Sequence, residues 1–206
     1  MFWADLVLKR TTLKSIAAYA ILACFAGLFS ACSEKAQNFA AIDVTGADYA
    51  RDFALTDHNG QARSLKDFAG KVVVIFFGYT QCPDVCPTSM AELAEVKKLL
   101  GKDGERVQGL FITVDPQRDT PEVLKAYMGN FDPTFLALYT TPENLEKTAK
   151  DFKVYYKKVD GKTPTSYTMD HSAGSYVYDT QGNLRLFTRY GSGAPALAAD
   201  IKLLLK

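Results

Sequence analysis

Alternating strand and helix signals, closed by a hairpin and a last helix, predict an α/β sandwich with mixed strand directions. Three observations carry that prediction. Two apolar runs, Val72–Phe77 and Val107–Val114, read as buried strands. Helix signals with proline near their starts follow them, at Pro87, Pro121 and Pro142. Turn sequences at Asp57-His-Asn-Gly60 and Asp179-Thr-Gln-Gly-Asn183 mark a hairpin before and after this alternating stretch.

Taken in order, the chain opens on an export segment. Lys9, Arg10 and Lys14 precede the apolar stretch Ile16–Phe29, and Ser30-Ala31 stand just before Cys32. A basic region, a short apolar region and small residues form a secretory signal. The ending resembles a bacterial lipobox with Cys32 as the lipidated N-terminus, although Phe29 stands where an aliphatic residue is usual. An uncleaved anchor is the alternative, but the run is shorter than the ~20 apolar residues of a spanning helix. Residues 1–32 are thus expected as signal peptide or anchor, 33–52 as a polar linker, and 53–206 as the folded domain.

Within the domain, Phe53–Thr56 and Gln61–Leu65 pair across the Asn59-Gly60 turn. A short turn through Gly70 leads into strand Val72–Phe77. Pro87–Leu100 follows as a helix ended by Gly101. Strand Val107–Val114 precedes a helix capped by Thr120 and running to about Met128. Phe135–Tyr139 reads as a strand, Thr141–Phe152 as a helix, and Val154–Val159 as another strand. Ser166–Ser172 is expected as a polar loop holding His171. The hairpin Ser175–Tyr178 with Leu184–Tyr190 and the amphipathic helix Ala194–Leu205 complete the chain. This is the element order of a thioredoxin-like sandwich of the peroxiredoxin type, with an N-terminal β-hairpin extension and a C-terminal hairpin and helix.

With 206 residues, 48% of them hydrophobic, the chain is long enough for one domain with a real core. A net charge of +1 points to no polyanionic partner. The sequence holds no basic cluster interleaved with aromatics and no Gly-rich phosphate loop, so nucleic-acid and nucleotide functions find no support.

Chemistry concentrates in the cysteines. Cys24 lies in the export segment and Cys32 is the expected lipid site, which leaves Cys82 and Cys86. They follow the first buried strand in Cys82-Pro-Asp-Val-Cys86-Pro87 and precede a helix, whose N-terminus favours thiolate. In an oxidising compartment such a pair is driven toward a disulfide. Three intervening residues, against two in thioredoxin-type reductants, also let both sulfurs converge on a metal. Two thiolates with an imidazole suit copper, whereas zinc wants a fourth ligand of the same kinds. The chain has two histidines. His58 in the Asn-Gly turn is expected as an exposed turn residue, and His171 is the candidate third ligand. Cys82, Cys86 and Asp115 all fall at the C-terminal ends of strands, where open α/β sheets gather their chemistry.

Three separated motifs, Gly78-Tyr-Thr-Gln-Cys-Pro-Asp-Val-Cys-Pro87, Val114-Asp-Pro-Gln-Arg-Asp-Thr-Pro121 and Asp170-His171-Ser172 before Tyr176–Asp179, resemble those of the SCO/SenC family. The resemblance runs from about Phe53 to the C-terminus. It implies a membrane-tethered, thioredoxin-like domain facing the periplasm or extracytoplasmic space of a bacterial envelope. One copper ion, Cu+ or Cu2+, would be held by Cys82, Cys86 and His171. The implied role is a copper chaperone supporting metallation of cytochrome c oxidase, with the oxidase's copper-bearing subunit and other copper chaperones as partners.

Asp84 and Asp115 are expected as charges facing a partner or lying outside the metal ligands. Asp119 is expected as a turn or cap residue with the same outer role as its alternative, and Asp170 either holds the His171 imidazole or caps its loop. Met169 is expected in the core, and Phe76, Phe77 and Tyr79 as core and rim packing. The competing function is a thiol-disulfide oxidoreductase using Cys82 and Cys86 as its redox-active pair without His171. A peroxiredoxin would need a Thr or Ser three residues before its nucleophile, where Pro83 and Tyr79 stand. A metal-free docking sensor leaves no motif to test.

Overall fold

The computed structural model describes residues 38–163 and 166–206. Strand β1 (Ile42–Asp43) comes first, then a hairpin of β2 (Leu55–Asp57) and β3 (Ala62–Arg63). Three strand–helix units follow: β4 (Val72–Gly78) with α1 (Val85–Leu100), β5 (Val107–Thr113) with α2 (Pro121–Gly129), and β6 (Leu136–Tyr139) with α3 (Pro142–Asp151). The chain ends with β7 (Tyr156–Val159), β8 (Thr168–His171), the hairpin β9 (Ser175–Tyr178)–β10 (Leu184–Thr188), and α4 (Ala194–Leu204).

One eight-stranded sheet runs β1-β10-β9-β4-β5-β6-β2-β3, with β4, β5 and β6 parallel and the outer pairings antiparallel. β4 and β5 are buried at every position, as continuous apolar runs require when both faces are covered. An aromatic cluster of Phe77, Phe152, Tyr176 and Phe187 packs edge-to-face beside them. This is the expected mixed sandwich, with the extension hairpin at one edge and β1, paired to the closing hairpin, at the other.

Local chemistry explains most boundaries. The Thr120 and Thr141 hydroxyls accept the backbone N–H of Val123 and Asn144, and a proline opens each helix behind them. Gly101 closes α1 at φ 57°, a left-handed conformation that glycine adopts without strain. In the first hairpin, Oδ1 of buried Asp57 accepts from Asn59 N and Gln61 N at 2.8 and 3.0 Å. Its Oδ2 accepts from Arg63 Nε at 2.8 Å.

Several expectations need revision. Helix α1 starts at Val85, so Cys86 lies inside its first turn instead of ahead of it. Pro87 is tolerated there because the first four N–H groups of a helix have no intrahelical acceptor. The segment expected as linker is partly built into the fold from Asn38 onward. β1 pairs with β10, Asp200 on α4 accepts Ala40 N and Ala41 N, and the Tyr178 hydroxyl donates to Ala50 O. His171 ends a strand instead of sitting in a loop. β8 pairs with β7 as a separate two-stranded ribbon, with Tyr156 opposite His171. Along β8, Met169 and His171 turn inward while Thr168 and Asp170 are exposed, the period of a half-buried strand. His58 is half-buried; its Nδ1 accepts Ala137 N at 3.1 Å and its N–H reaches Ala137 O. It extends the β2–β6 ladder. The export segment and Cys32 lie outside the described residues, among which no helix is long and apolar enough to cross a membrane.

Candidate metal centre

β4 delivers the chain to the site. After Gly78 the backbone turns through Tyr79 and Thr80, with Cys82 N bonded to Tyr79 O at 3.2 Å, and re-enters a helix at Val85. Cys82 is half-buried on this turn, and Cys86 is buried beneath it. The N–H of Cys86, in the first turn of α1, points at Cys82 Sγ from 3.5 Å. On its other side Cys86 Sγ lies against the backbone of Gly78, where a methyl group would come within 2.8 Å of the sulfur.

The ribbon supplies the third donor. His171 Nε2 stands 3.4 Å from Cys86 Sγ. Its Nδ1 lies 2.9 Å from Ser172 O, which makes Nδ1 the N–H donor and leaves the Nε2 lone pair toward the sulfurs. The rings of Phe76 and Tyr79 meet the imidazole edge-on, each at 5.9 Å, and fix its plane. Sγ of Cys82, Sγ of Cys86 and a ring nitrogen of His171 all fall within 4.8 Å of one another.

Burial sets the protonation states. It pushes the Cys86 thiol well above its ordinary value; the Cys82 sulfur and the Asp119 charge act in the same direction, and only the Tyr79 backbone N–H opposes them. A helix N-terminus lowers a thiol, but for Cys86 desolvation wins. Burial also lowers His171, against the Ser172 backbone bond and the Asp170 charge, so its imidazole is neutral at pH 7. A buried thiol paired with a neutral imidazole is poised to lose its proton to a cation. Metal bonds of about 2.0–2.3 Å to three donors place those donors roughly 3.5–4 Å apart, which this spacing meets with little movement. Two sulfurs and one nitrogen make a soft set, suited to copper in either oxidation state.

The aspartates are placed unevenly around it. Asp84 is exposed at the N-cap of α1 without a capping bond, and the Tyr190 hydroxyl lies 3.5 Å away. Asp115 is buried, accepting from the Tyr167 hydroxyl at 2.7 Å and pairing with Arg118, so it faces no partner. Asp119 is also buried. It accepts from Thr80 N at 3.1 Å, Thr80 Oγ1 at 2.5 Å and Thr113 Oγ1 at 2.6 Å, and so ties the cysteine turn to the end of β5. Desolvation raises its carboxyl despite those donors. Asp170 is exposed on the outer ribbon face opposite Lys157, and the imidazole is held by the Ser172 carbonyl instead. Met169 is buried as expected.

Four residues that the sequence did not single out as site residues also shape it. Gly78 makes room for a sulfur, Tyr79 and Phe76 clamp the imidazole, and Arg118 reaches both Gln81 and Tyr167. The signal for Gly78 and Arg118 was their place inside the family motifs.

Comparison with known proteins adds to this geometry. The SCO1/SenC family profile matches residues 43–206. A SCO2-like protein of Rickettsia felis is 39% identical over 132 residues, covering 64% of this chain and 64% of the relative. The chain therefore matches less than two thirds of that relative's length. The structure of ScoI from Bradyrhizobium japonicum with copper bound is 44% identical, with a TM-score of 0.68 over 74% of this chain and 97% of that one. A SCO1/SenC family lipoprotein from Bacillus anthracis is 28% identical, with a TM-score of 0.65 over 75% of this chain and 94% of its own.

Proposed function

The chain belongs to the SCO1/SenC family, and on that premise we propose that it carries a single copper ion as cargo and delivers it to cytochrome c oxidase. The observation behind this reading is the convergence of Cys82, Cys86 and His171 within 4.8 Å at one end of the sheet. Three donors leave the ion coordinatively open. Half-buried Cys82 offers a side from which a partner's thiol or imidazole can enter, while buried Cys86 and the clamped His171 hold the ion until exchange. The site lies on the rim of the sandwich, where an acceptor such as the oxidase's copper-bearing subunit, or another copper chaperone as donor, can approach. The similarity to a family lipoprotein and the Cys32 motif support attachment to a bacterial envelope membrane through Cys32, with the domain facing the extracytoplasmic side.

Titration of the reduced protein with copper, followed as sulfur-to-Cu(II) charge transfer, tests the reading. One equivalent should bind. His171→Ala should lose more affinity than the roughly 10–100-fold that loss of an outer partner costs a metal site. No copper–thiolate band in the wild type would sink the proposal.

A second reading, thiol-disulfide exchange, is favoured by one observation: Cys82 is a free, half-buried thiol with Cys86 beside it. It requires both cysteines and predicts that His171→Ala keeps reductase activity.

A further inference from the structure

Arg118 touches both the turn that carries Cys82 and the approach to the strand that carries His171. Its Nη1 donates to Gln81 Oε1 at 3.1 Å, next to Cys82, and to Tyr167 O at 2.8 Å, at the foot of the strand that ends in His171. Its Nε pairs with buried Asp115 at the end of β5. The guanidinium lies over the Tyr167 ring at 3.5 Å and beside the Tyr79 ring at 5.7 Å. Those two aromatics complete the circuit. Tyr167 donates its hydroxyl to Asp115, and Tyr79 meets the His171 imidazole edge-on.

Arrangement and energetics both point away from simple stabilisation. A buried ion pair gives weak net stability once desolvation is counted. Here one further nitrogen, Nη2, is buried without a hydrogen-bond partner among the described residues, which adds to the cost. Among the described residues the ribbon shares no strand pairing with the main sheet, so the backbone ladder does not fix its distance from the cysteine turn. Something else has to. A planar five-donor fork bridging three segments supplies that register, and lysine's point charge does not reproduce it.

We propose that Arg118 is a positioning residue that braces the β7–β8 ribbon against the cysteine turn and so presents His171 Nε2 to the two sulfurs. The proposal rests on the copper reading above for its consequence, but the contacts of the brace are all between this chain's own residues. They carry the third donor into place.

The two histidines allow a direct test by NMR on the reduced, metal-free full chain. His171 sits among Phe76 and Tyr79, whose ring currents shift its imidazole protons, while His58 lies on the far hairpin and reports general loosening. In Arg118→Met and Arg118→Lys the His171 signals should move toward random-coil values with His58 unchanged. His171 signals that stay put, or histidines that move together, would overturn the proposal. Copper affinity gives the second arm. Arg118→Met should weaken binding at least tenfold in the wild-type background and less than twofold in His171→Ala, because the brace acts through that imidazole. Equal losses in both backgrounds would mark Arg118 as ordinary scaffold. Failure of wild type to bind copper at all would remove the delivery function, while the NMR shifts would still decide whether the brace exists.

Discussion

Gly78 needs no unusual backbone angle, yet no other residue fits there. A methyl group would meet Cys86 Sγ and the Phe76 ring at 2.8 Å and the Phe111 ring at 2.9 Å. Gly78→Ala is expected to destabilise the fold by ~1–3 kcal/mol, as overpacking does, and to push the sulfur off its line to His171. A lowered thermal midpoint together with an altered copper–thiolate band would bear this out; a variant matching wild type in both would refute the tight contact. At this scale the sequence was legible where chemistry is local. Cys82 and Cys86 announce themselves by spacing beside a strand. His171, 85 positions from Cys86, was reached by setting it against His58 as the partner of two thiols, and then through its motif. The burial of Cys86 was not legible, because it depends on β4 closing over α1, and a glycine at a strand end reads first as a turn.

Among the elements, the extension hairpin rests on Asp57. Burial alone would raise this carboxyl, but the Gln61 N–H, the Arg63 guanidinium and the Asn59 N–H outweigh it and hold it below the usual range. The folded value therefore lies below the unfolded one. Its contribution to stability is complete above the unfolded pKa of about 4 and fades as pH falls through the folded value. Asp57→Asn should cost about 1–3 kcal/mol at pH 7, with the gap to wild type closing at pH 3. Urea unfolding at the two pH values measures it, and a gap that persists in acid would contradict the assignment. The Asn59-Gly60 turn, the Thr120 cap and the Gly101 stop were readable because each is a few-residue device. The β7–β8 pairing was not: Asp160-Gly161 after β7 is a turn signal, but the segment across it read as a polar loop and offered no partner strand. Alternation in β8 spans only Thr168–His171, too short to stand out.

For the whole molecule, the succession of strands and helices was enough to foresee the layered sandwich, whereas the edges of the sheet were not foreseeable. Nothing in a polar stretch reveals that Asp200, far along the chain, will accept Ala40 N and Ala41 N at 2.9 and 2.8 Å. Asp200→Ala leaves those donors unpaired and should cost ~1–3 kcal/mol. Amide exchange at Ala40 and Ala41 should quicken while copper binding stays as in wild type; unchanged exchange would show that the bonds carry no weight. The same clasp has a mechanical side. A pull on the chain at Asn38 is taken up first by the Asp200 carboxylate and by β1 against β10, at the sheet's outer edge. β4, which leads to the cysteines, lies two strands further in, and the ribbon bearing His171 pairs with neither edge strand. The clasp works like the strain relief on a cable: tugging at Asn38 loads the casing and spares the terminals.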